Sequence, residues 1–237
     1  MHVKKSAEPE GVALVFGSSG GIGGALVKQL ERTRRFEEVR SFARSGSPSF
    51  DLTQEETIQN AALVLSKQKK TPRLIFVATG FLHDKIYTPE KSLQQIEASH
   101  LIRAFAVNVV GPALIAKHFI PLLPRSGKSM FAVLSARVGS IGDNRLGGWY
   151  SYRASKAALN QFLRTVAIEL KRTRPAAICV ALHPGTVDTP LSRPFKKVGL
   201  GVQAPSAVAA QLVNVMSNLT LESSGGFIDF QGSPVPW

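Results

Sequence analysis

The sequence has very little cysteine, few acidic residues and no long uninterrupted apolar run. Cys179 is the only cysteine among 237 residues, which excludes an intrachain disulfide and a cysteine-based zinc site. The first ten residues contain lysines but no apolar segment typical of a secretory signal. Residues 101–123 are the most apolar stretch, but charged residues and prolines interrupt it, which predicts a buried core helix rather than a membrane span. We therefore expect a soluble, cytoplasmic protein that binds neither a metal nor a membrane.

The shortage of acidic residues leaves a strongly basic chain. Lysine and arginine total 29 against 16 aspartates and glutamates, a formal net charge of +13, which invites a nucleic-acid partner. The basic residues, however, gather where the predicted helices end, and cations there complement the helix macrodipole. These residues are Arg32, Arg34, Arg35, Lys67, Lys69, Lys70, Lys171, Arg172 and Arg174. Most of the charge is thus interpreted as solvated surface, and we expect no nucleic-acid partner.

Short apolar runs alternate with helix-period segments along the whole chain. The predicted strands are 12–16, 39–43, 74–78, 130–135, 177–182 and 227–230. The predicted helices begin near residue 22 and then cover 53–70, 93–123, 149–172 and 204–219. This order is typical of an α/β fold, a doubly wound, mostly parallel sheet of about six to seven strands with helices on both faces. We expect a single domain over 1–237, with an N-terminal arm at 1–10.

One short segment of this pattern is ambiguous. Residues 49–52 are at most a short strand, because no helix separates them from the strand at 39–43. Thr53 is placed to cap the next helix, with Glu56 three residues later as in a capping box.

A glycine-rich turn joins the first strand to the first helix. Residues 17–23 read Gly-Ser-Ser-Gly-Gly-Ile-Gly. Glycines let the backbone turn sharply, and a helix N-terminus offers N–H groups to a pyrophosphate. The same letters match the G-x-S-x-G elbow of serine hydrolases, with Ser19 as nucleophile, but that elbow needs earlier strands to supply an oxyanion hole. A connection that binds no ligand is the third alternative.

Tyr152 and Lys156 lie four residues apart at the start of the long helix. Residues at this spacing share one helix face. A neighbouring ammonium lowers the pKa of a tyrosine, so Tyr152 is a candidate general acid or base. The same spacing is also that of an ordinary pair on a helix surface.

Asn108 precedes Pro112 by four residues inside the helix predicted over 93–123. Proline donates no hydrogen bond to the carbonyl four residues earlier, so the Asn108 carbonyl is left without its helical partner. A buried free carbonyl takes a water or a ligand. The pattern therefore indicates either a simple kink or a water site beside Lys156.

Together, these motifs resemble the short-chain dehydrogenase/reductase family over nearly the whole chain. The matching positions are Gly17, Gly21, Gly23, Ala78-Thr79-Gly80 in place of Asn-Ala-Gly, Asn108, Tyr152, Lys156, Pro184, Gly185 and Thr189. Residues 135–141 and 147–153 are most similar to the C-factor and sniffer carbonyl-reductase branch. The resemblance implies a Rossmann fold, a nicotinamide dinucleotide cofactor, a small-molecule carbonyl or alcohol substrate, and a homodimer or homotetramer.

The resemblance also implies residue roles. Tyr152 would protonate the carbonyl oxygen, Lys156 would bind the ribose hydroxyls and lower the Tyr152 pKa, and Asn108 would hold the water of a proton relay. The dinucleotide-binding residues would be Gly17, Ser18, Ser19, Gly21, Ile22, Gly23, Arg44, Ser45, Asp51, Leu52, Ala78, Thr79, Gly80, Tyr152, Lys156, Pro184, Gly185, Val187 and Thr189.

The family's carbonyl-orienting serine has no direct match, because its position falls on Ala136. Ser135 lies one residue earlier and Ser140 four residues later. Neighbours on a strand face opposite sides, so Ser135 serves only if the strand end twists. We favour Ser135 over Ser140 as the catalytic serine. The remaining alternative is that no serine acts and that catalysis is weaker.

The choice of dinucleotide depends on the end of the second strand. Ala43 fills the position where an acidic residue would bind the ribose 2′-OH of NAD. Arg44 follows it and is suited to a phosphate, which favours NADP(H) over NAD(H). The alternative is that Arg44 is only a solvated charge. Asp51 and Leu52 match the positions that contact adenine in the family.

The resemblance makes residues 190–203 the lid over the substrate. Gly199 and Gly201 would permit its motion, and Trp149 and Trp237 are candidates for the pocket wall. The lid cations are Arg193, Lys196 and Lys197, which are interpreted as a solvated loop rather than as a site for an anionic substrate. A non-catalytic dinucleotide-sensing or cell-signalling protein on the same scaffold is the alternative function.

Overall fold

The centre of the molecule is a parallel β-sheet. The structure, a computed structural model, describes residues 10–46, 48–195 and 201–237. Its strands are β1 (Val12–Phe16), β2 (Glu38–Phe42), β3 (Pro72–Val77), β4 (Ser129–Leu134), β5 (Ala177–His183), β6 (Thr186–Val187), β7 (Val202–Gln203) and β8 (Phe227–Asp229). Within the described ranges, six of them form one sheet in the order β2-β1-β3-β4-β5-β8, and every pairing in it is parallel.

Helices cover both faces of this sheet. They are α1 (Gly21–Thr33), α2 (Glu55–Lys67), α3 (Ala98–Phe105), α4 (Gly111–Phe119), α5 (Tyr150–Thr173) and α6 (Pro205–Asn218). Alternate strand residues point to opposite faces, so Leu14 packs with α2, α4 and α5, whereas Val15 packs with α1 and α6. This doubly wound α/β arrangement confirms the fold class predicted from the sequence.

Residues 49–52 do not form a strand, which leaves β2 at the edge of the sheet. Phe50 instead turns into the core, with its ring 5.0 Å from that of Phe16. The predicted Thr53 cap is also wrong, because α2 begins at Glu55 with Gln54 at its N-cap. The Thr53 hydroxyl donates to Asp51 Oδ1 at 2.8 Å, so it closes a local turn before the helix begins.

The apolar stretch near residue 108 is helical but only half-buried. Ala98–Leu122 is long and apolar enough to span a membrane by length and composition alone, with a mean hydropathy of 1.4, yet only 33% of its most apolar window is buried. Ile102 and Val110 are 71% and 48% exposed. The expected buried core helix is therefore only partly buried: one face packs on the sheet, and the outer face exposes Ile102 and Val110.

A π-helical turn, Ala106–Val110, joins α3 to α4. The Gly111 N–H donates to the Ala106 carbonyl five residues earlier, and Pro112 follows it without an N–H to donate. The wider turn lies where the sequence predicts a kink, and π turns of this kind often accompany functional sites.

The predicted positions of the basic clusters are confirmed in part. Arg32, Lys67, Lys171 and Arg172 lie in the last turns of α1, α2 and α5. In a parallel sheet these helix ends lie at the edge opposite the carboxyl ends of the strands. Lys196, Lys197 and Gly199 of the predicted lid and residues 1–9 of the predicted arm lie outside the described residues.

Candidate active site

The glycine-rich turn lies at the carboxyl end of β1. Gly17 has φ +84°, and a Cβ there would come within 2.9 Å of Thr79 Cγ2, so the position requires glycine. The N–H groups of Gly17 and Ser18 both donate to the Phe42 carbonyl, at 2.8 and 3.2 Å. The turn is thus tied to the ends of β2 and β3.

The start of α1 suits an anionic group. Gly20 is its N-cap and makes no side-chain capping bond, and its first turn carries no acidic residue. A helix N-terminus without a capping side chain or a nearby acidic residue presents free N–H groups and a partial positive charge. Ser19 is exposed at the tip of the turn, and Ile22 packs on the α1–α6 side of the sheet.

The segment after β5 meets this turn. A Cβ at Gly21 would lie 2.8 Å from Thr189 Cγ2, so Thr189 rests directly on the start of α1. Gly185 has φ +74°, and the ring of Phe230 leaves no room for a side chain there. Val187 is buried in β6. The structure thus brings Thr189, at the end of this segment, against the glycine-rich turn, although the two are far apart in the sequence.

The end of β3 connects the turn to Lys156 and Asn108. The Ala78 N–H donates to the Phe16 carbonyl at 2.8 Å. Among the described residues, the Thr79 Oγ1 atom has no hydrogen-bond partner although it is buried. A Cβ at Gly80 would lie 3.8 Å from Asn108 Oδ1 and 3.9 Å from Lys156 Nζ. An uncapped helix end, an unpaired buried hydroxyl and a backbone left open by glycine are features that a dinucleotide fits.

Lys156 is buried beneath Tyr152. Its Nζ donates to the Leu134 carbonyl at 2.9 Å and lies 5.9 Å from the centre of the Tyr152 ring. Burial lowers the pKa of Lys156 to about 8. Burial also raises the pKa of Tyr152 above its ordinary value. This rise has burial as its cause, because a desolvated phenolate is disfavoured relative to the neutral phenol. The lowering of the Tyr152 pKa by Lys156 stays a prediction.

Asn108 is fully buried within the π turn. Its Nδ2 donates to the Phe81 carbonyl at 2.8 Å and to Ser155 Oγ at 2.9 Å, while its Oδ1 accepts the Phe81 N–H at 2.7 Å. The side chain therefore fixes the backbone after Gly80 to α5. Its main-chain carbonyl is the atom that Pro112 deprives of a helical donor.

Ser135 does not face Tyr152. Its hydroxyl donates to Asn160 Oδ1 at 2.6 Å, and the residue is buried. Asn160 follows Tyr152 by eight residues on α5, which places it about 12 Å along the helix axis. This bond engages the Ser135 hydroxyl away from Tyr152, which disfavours a carbonyl-orienting role for Ser135. The catalytic serine itself stays a prediction. The buried Ser140 hydroxyl accepts the Asp143 N–H at 3.1 Å.

The residues after β2 lie near the glycine-rich turn. Arg44 and Ser45 are exposed two and three residues beyond Phe42, whose carbonyl holds the turn. The pKa of Asp51 is lowered by its bonds from the Thr53 N–H and hydroxyl, with a smaller contribution from Arg44. Leu52 packs on Gly111, where a Cβ would lie 3.0 Å from that of Leu52.

A chain of aromatic contacts begins at Tyr152, and most of its members have no signal in the sequence. Trp149 lies 6.2 Å from the Tyr152 ring and 5.4 Å from the Phe195 ring. His83, just after β3, lies 5.1 Å from Phe195, and its Nε2 lies 3.1 Å from the Leu191 carbonyl. Trp149 was a sequence candidate for this wall. Trp237 instead stacks on Phe227.

His183 is another site residue without a sequence signal. It ends β5, and its Nδ1 accepts the Arg137 N–H at 3.3 Å. Burial lowers its pKa to about 4, with opposing effects from Asp229 and Arg137. The imidazole is therefore neutral at physiological pH. A histidine before Pro-Gly has no local pattern that would have distinguished it from a core residue.

Known proteins match the chain over most of its length. A family model described as enoyl-(acyl carrier protein) reductase matches residues 18–215. The chain is 30% identical to 1-hydroxy-2-glutathionyl-2-methyl-3-butene dehydrogenase of Rhodococcus sp. (strain AD45) over 236 residues, 94% of this chain and 98% of that protein. The chain belongs to the short-chain dehydrogenase/reductase family. It is thus an oxidoreductase of that type.

Other relatives agree with this family. The C-signal protein of Myxococcus xanthus is 35% identical over 147 residues, 62% of this chain and 84% of that protein. The structure of a carbonyl reductase from chicken fatty liver with NADPH bound has a TM-score of 0.83 at 24% identity, covering 97% of this chain and 100% of that one. Carbonyl reductase Sniffer of D. melanogaster has a TM-score of 0.81 at 23% identity, with the same coverage of both chains. Both structures share the family fold.

Proposed function

We propose that this short-chain dehydrogenase/reductase is an NADP(H)-dependent enzyme that reduces an aldehyde or ketone to an alcohol, or catalyses the reverse. The observation that carries the proposal is the meeting of Tyr152, Lys156, Asn108 and Gly80 at one edge of the sheet. A phenol, a buried ammonium and an open glycine backbone there suit proton transfer beside a bound dinucleotide.

When bound, a reduced nicotinamide dinucleotide supplies hydride to a carbonyl carbon. Tyr152 gives its proton to the carbonyl oxygen, and its raised pKa keeps that proton in place at neutral pH. The Lys156 ammonium binds ribose hydroxyls and steadies the tyrosinate that remains. The Asn108 carbonyl holds a water that returns the proton. Ser135 is left out of the mechanism, because its hydroxyl is committed to Asn160.

The dinucleotide-binding residues proposed are those of the glycine-rich turn, the ends of β2 and β3 and the segment from Pro184 to Thr189. Arg44 is proposed to select the 2′-phosphate of NADP(H), because no acidic residue stands at Ala43 to bind a ribose 2′-OH. The exposed guanidinium has the shape and charge for a bidentate phosphate contact. The NADPH-bound carbonyl reductase structure from chicken fatty liver, which shares this fold, supports the preference.

The protein is further proposed to be soluble, cytoplasmic and a homodimer or homotetramer. The exposed apolar side chains of Ile102 and Val110 support an assembly, because exposed apolar surface is often covered at a subunit contact. The substrate is proposed to be a small carbonyl compound, with no nucleic acid or membrane as partner.

A titration of NADPH against NADH, followed by NADPH oxidation with a panel of aldehydes and ketones, tests the function. We expect tighter binding of NADPH and turnover of at least one carbonyl. Equal catalytic efficiency with both dinucleotides would overturn the NADP(H) preference. The absence of both dinucleotide binding and carbonyl turnover would contradict the proposal that the protein is an enzyme.

A dinucleotide-sensing or signalling protein is the second candidate function. The observation that favours it is Ala136, which offers no hydroxyl at the family's serine position, together with the matched C-signal protein. Binding of NADPH without turnover of any carbonyl in the same panel would support this candidate.

A further inference from the structure

Glu90 is a buried carboxylate beneath the start of α5, outside the residues assigned so far. It is 1% exposed. Its Oε2 accepts the Ser151 N–H at 3.2 Å, its Oε1 accepts the Ser151 hydroxyl, and its main-chain carbonyl accepts the Trp149 N–H at 2.5 Å. A single residue thus holds the first turn of α5 by three hydrogen bonds.

The helix has no cap of its own. Trp149 is the N-cap residue but adopts the left-handed conformation with φ 55°, and it makes no side-chain capping bond. The first turn also contains no acidic residue. Glu90 therefore supplies from another segment the acceptor and the negative charge that a helix N-terminus needs.

The same carboxylate also contacts α3. His100 Nδ1 lies 3.1 Å from Glu90 Oε1. The His100 ring stacks on Tyr87 at 4.9 Å and meets Phe81 edge-on at 5.9 Å. Phe81 is the residue whose backbone is held on both sides by the Asn108 side chain. Glu90 thus links the start of α5 to the segment that Asn108 fixes.

We propose that Glu90 is a positioning residue that sets where α5 begins and so where the Tyr152 phenol lies. Tyr152 directly follows Ser151, the residue that Glu90 holds twice. The inference rests on the proposed function, because it concerns the acid that protonates the carbonyl. It predicts that a change at Glu90 affects turnover and leaves the distant glycine-rich turn unchanged.

The test compares Glu90→Ala and Glu90→Gln with Glu97→Ala, a control in which an exposed glutamate of the same segment is removed. All are made with Trp237→Phe, so that Trp149 is the only tryptophan, since the chain has two. The measurements are kcat, KM for the carbonyl, the NADPH dissociation constant, the thermal midpoint and the Trp149 emission maximum.

We expect Glu90→Ala to lower kcat about 10- to 100-fold, since a displacement near 1 Å can cost that much. The NADPH dissociation constant should change less than about twofold, because the α1 turn is untouched and the Leu134 carbonyl holds Lys156 independently of Glu90. Glu90→Gln keeps the shape and one acceptor oxygen but loses the charge and the second acceptor, so its kcat should lie between those of Glu90→Ala and the parent. Trp149 emission should shift in Glu90→Ala and not in Glu97→Ala.

Two results would overturn the proposal. One is an unchanged kcat in folded Glu90→Ala. The other is a parallel loss of kcat, NADPH binding and thermal midpoint, which indicates general destabilisation. If Glu90→Ala does not fold, Ser151→Ala is the deciding variant. A lower kcat with unchanged NADPH binding in Ser151→Ala would support the proposal, and an unchanged kcat would contradict it.

The outcomes separate Glu90 from the catalytic proposal. If the parent protein turns over no carbonyl, the catalytic proposal fails. The Trp149 emission shift, which needs no turnover, then still reports whether Glu90 sets the start of α5. An active parent with an unshifted emission maximum and full kcat in Glu90→Ala means that only the Glu90 proposal fails.

Discussion

The ammonium nitrogen of Lys156 lies 5.9 Å from the centre of the Tyr152 ring and is held there by the Leu134 carbonyl. This bond ties α5 to the end of β4, so the spacing of four residues on a helix becomes a fixed position in the site. Burial acts on the two groups in opposite directions, since it raises the pKa of the phenol and lowers that of the ammonium.

Removing the Tyr152 hydroxyl should slow turnover strongly and leave most of the NADPH binding in place. We expect Tyr152→Phe to reduce kcat about 10²- to 10⁴-fold, the range for a lost general acid. Steady-state NADPH oxidation measures the effect, and fluorescence titration measures binding. Tyr150→Phe, a neighbouring phenol on another face of α5, is the matched control and should keep nearly full activity. Similar losses in both variants would contradict the assigned role.

The kcat/KM of carbonyl reduction should fall as the pH rises through about 8, the pKa of Lys156. Lys156 carries its charge below its pKa of about 8, whereas Tyr152 keeps its proton through this range because its pKa is raised. The pH dependence of kcat/KM for NADPH, measured between pH 6 and about 10, reports the pKa values of groups in the free enzyme. This kcat/KM should decline with pH as expected for the loss of one proton from one group. Lys156→Arg, which stays charged throughout, should remove this decline from any residual activity. A decline that persists in that variant would assign it to another group.

Arg44 should set the preference for NADPH. A charge-assisted contact is worth about 1.5–3 kcal/mol, so Arg44→Ala should weaken NADPH binding about 10- to 100-fold and leave NADH binding unchanged. Isothermal titration with both dinucleotides makes the comparison. The control is Arg125→Ala, which removes an exposed arginine before β4 at the other edge of the sheet. It should change neither NADPH binding nor NADH binding. Equal weakening of NADPH and NADH by Arg44→Ala would mean a non-selective role.

Ser135 should matter for stability and not for chemistry. Ser135→Ala leaves Asn160 Oδ1 without its buried donor, which should lower the free energy of unfolding by about 1–3 kcal/mol. Urea denaturation measures this change, and kcat should stay within about twofold because the hydroxyl faces away from Tyr152. Ser140→Ala is the parallel variant for the second serine. A large fall in kcat for folded Ser135→Ala would restore the serine role expected from the sequence.

Local spacing was enough to predict the element types, their order and the residues of the glycine-rich turn. Buried strands and amphipathic helices each have their own hydrophobic period, so their existence can be read without knowledge of their neighbours. The boundaries shifted by a few residues, as for β3, because helix and strand ends depend on caps and pairing. Tyr152 and Lys156 share one face for the same local reason.

Contacts between distant segments were decided only by the tertiary structure. The sequence placed a hydroxyl at Ser135, but packing on α5 turned it toward Asn160. Residues 49–52 suit a strand by sequence, but in the structure the Phe50 ring packs against Phe16 in the core. Glu90 belongs to no sequence motif. Its proposed role depends on the tertiary contact between its carboxylate and Ser151 at the start of α5. Such features depend on which backbone groups burial leaves unpaired, and only the packed chain determines that.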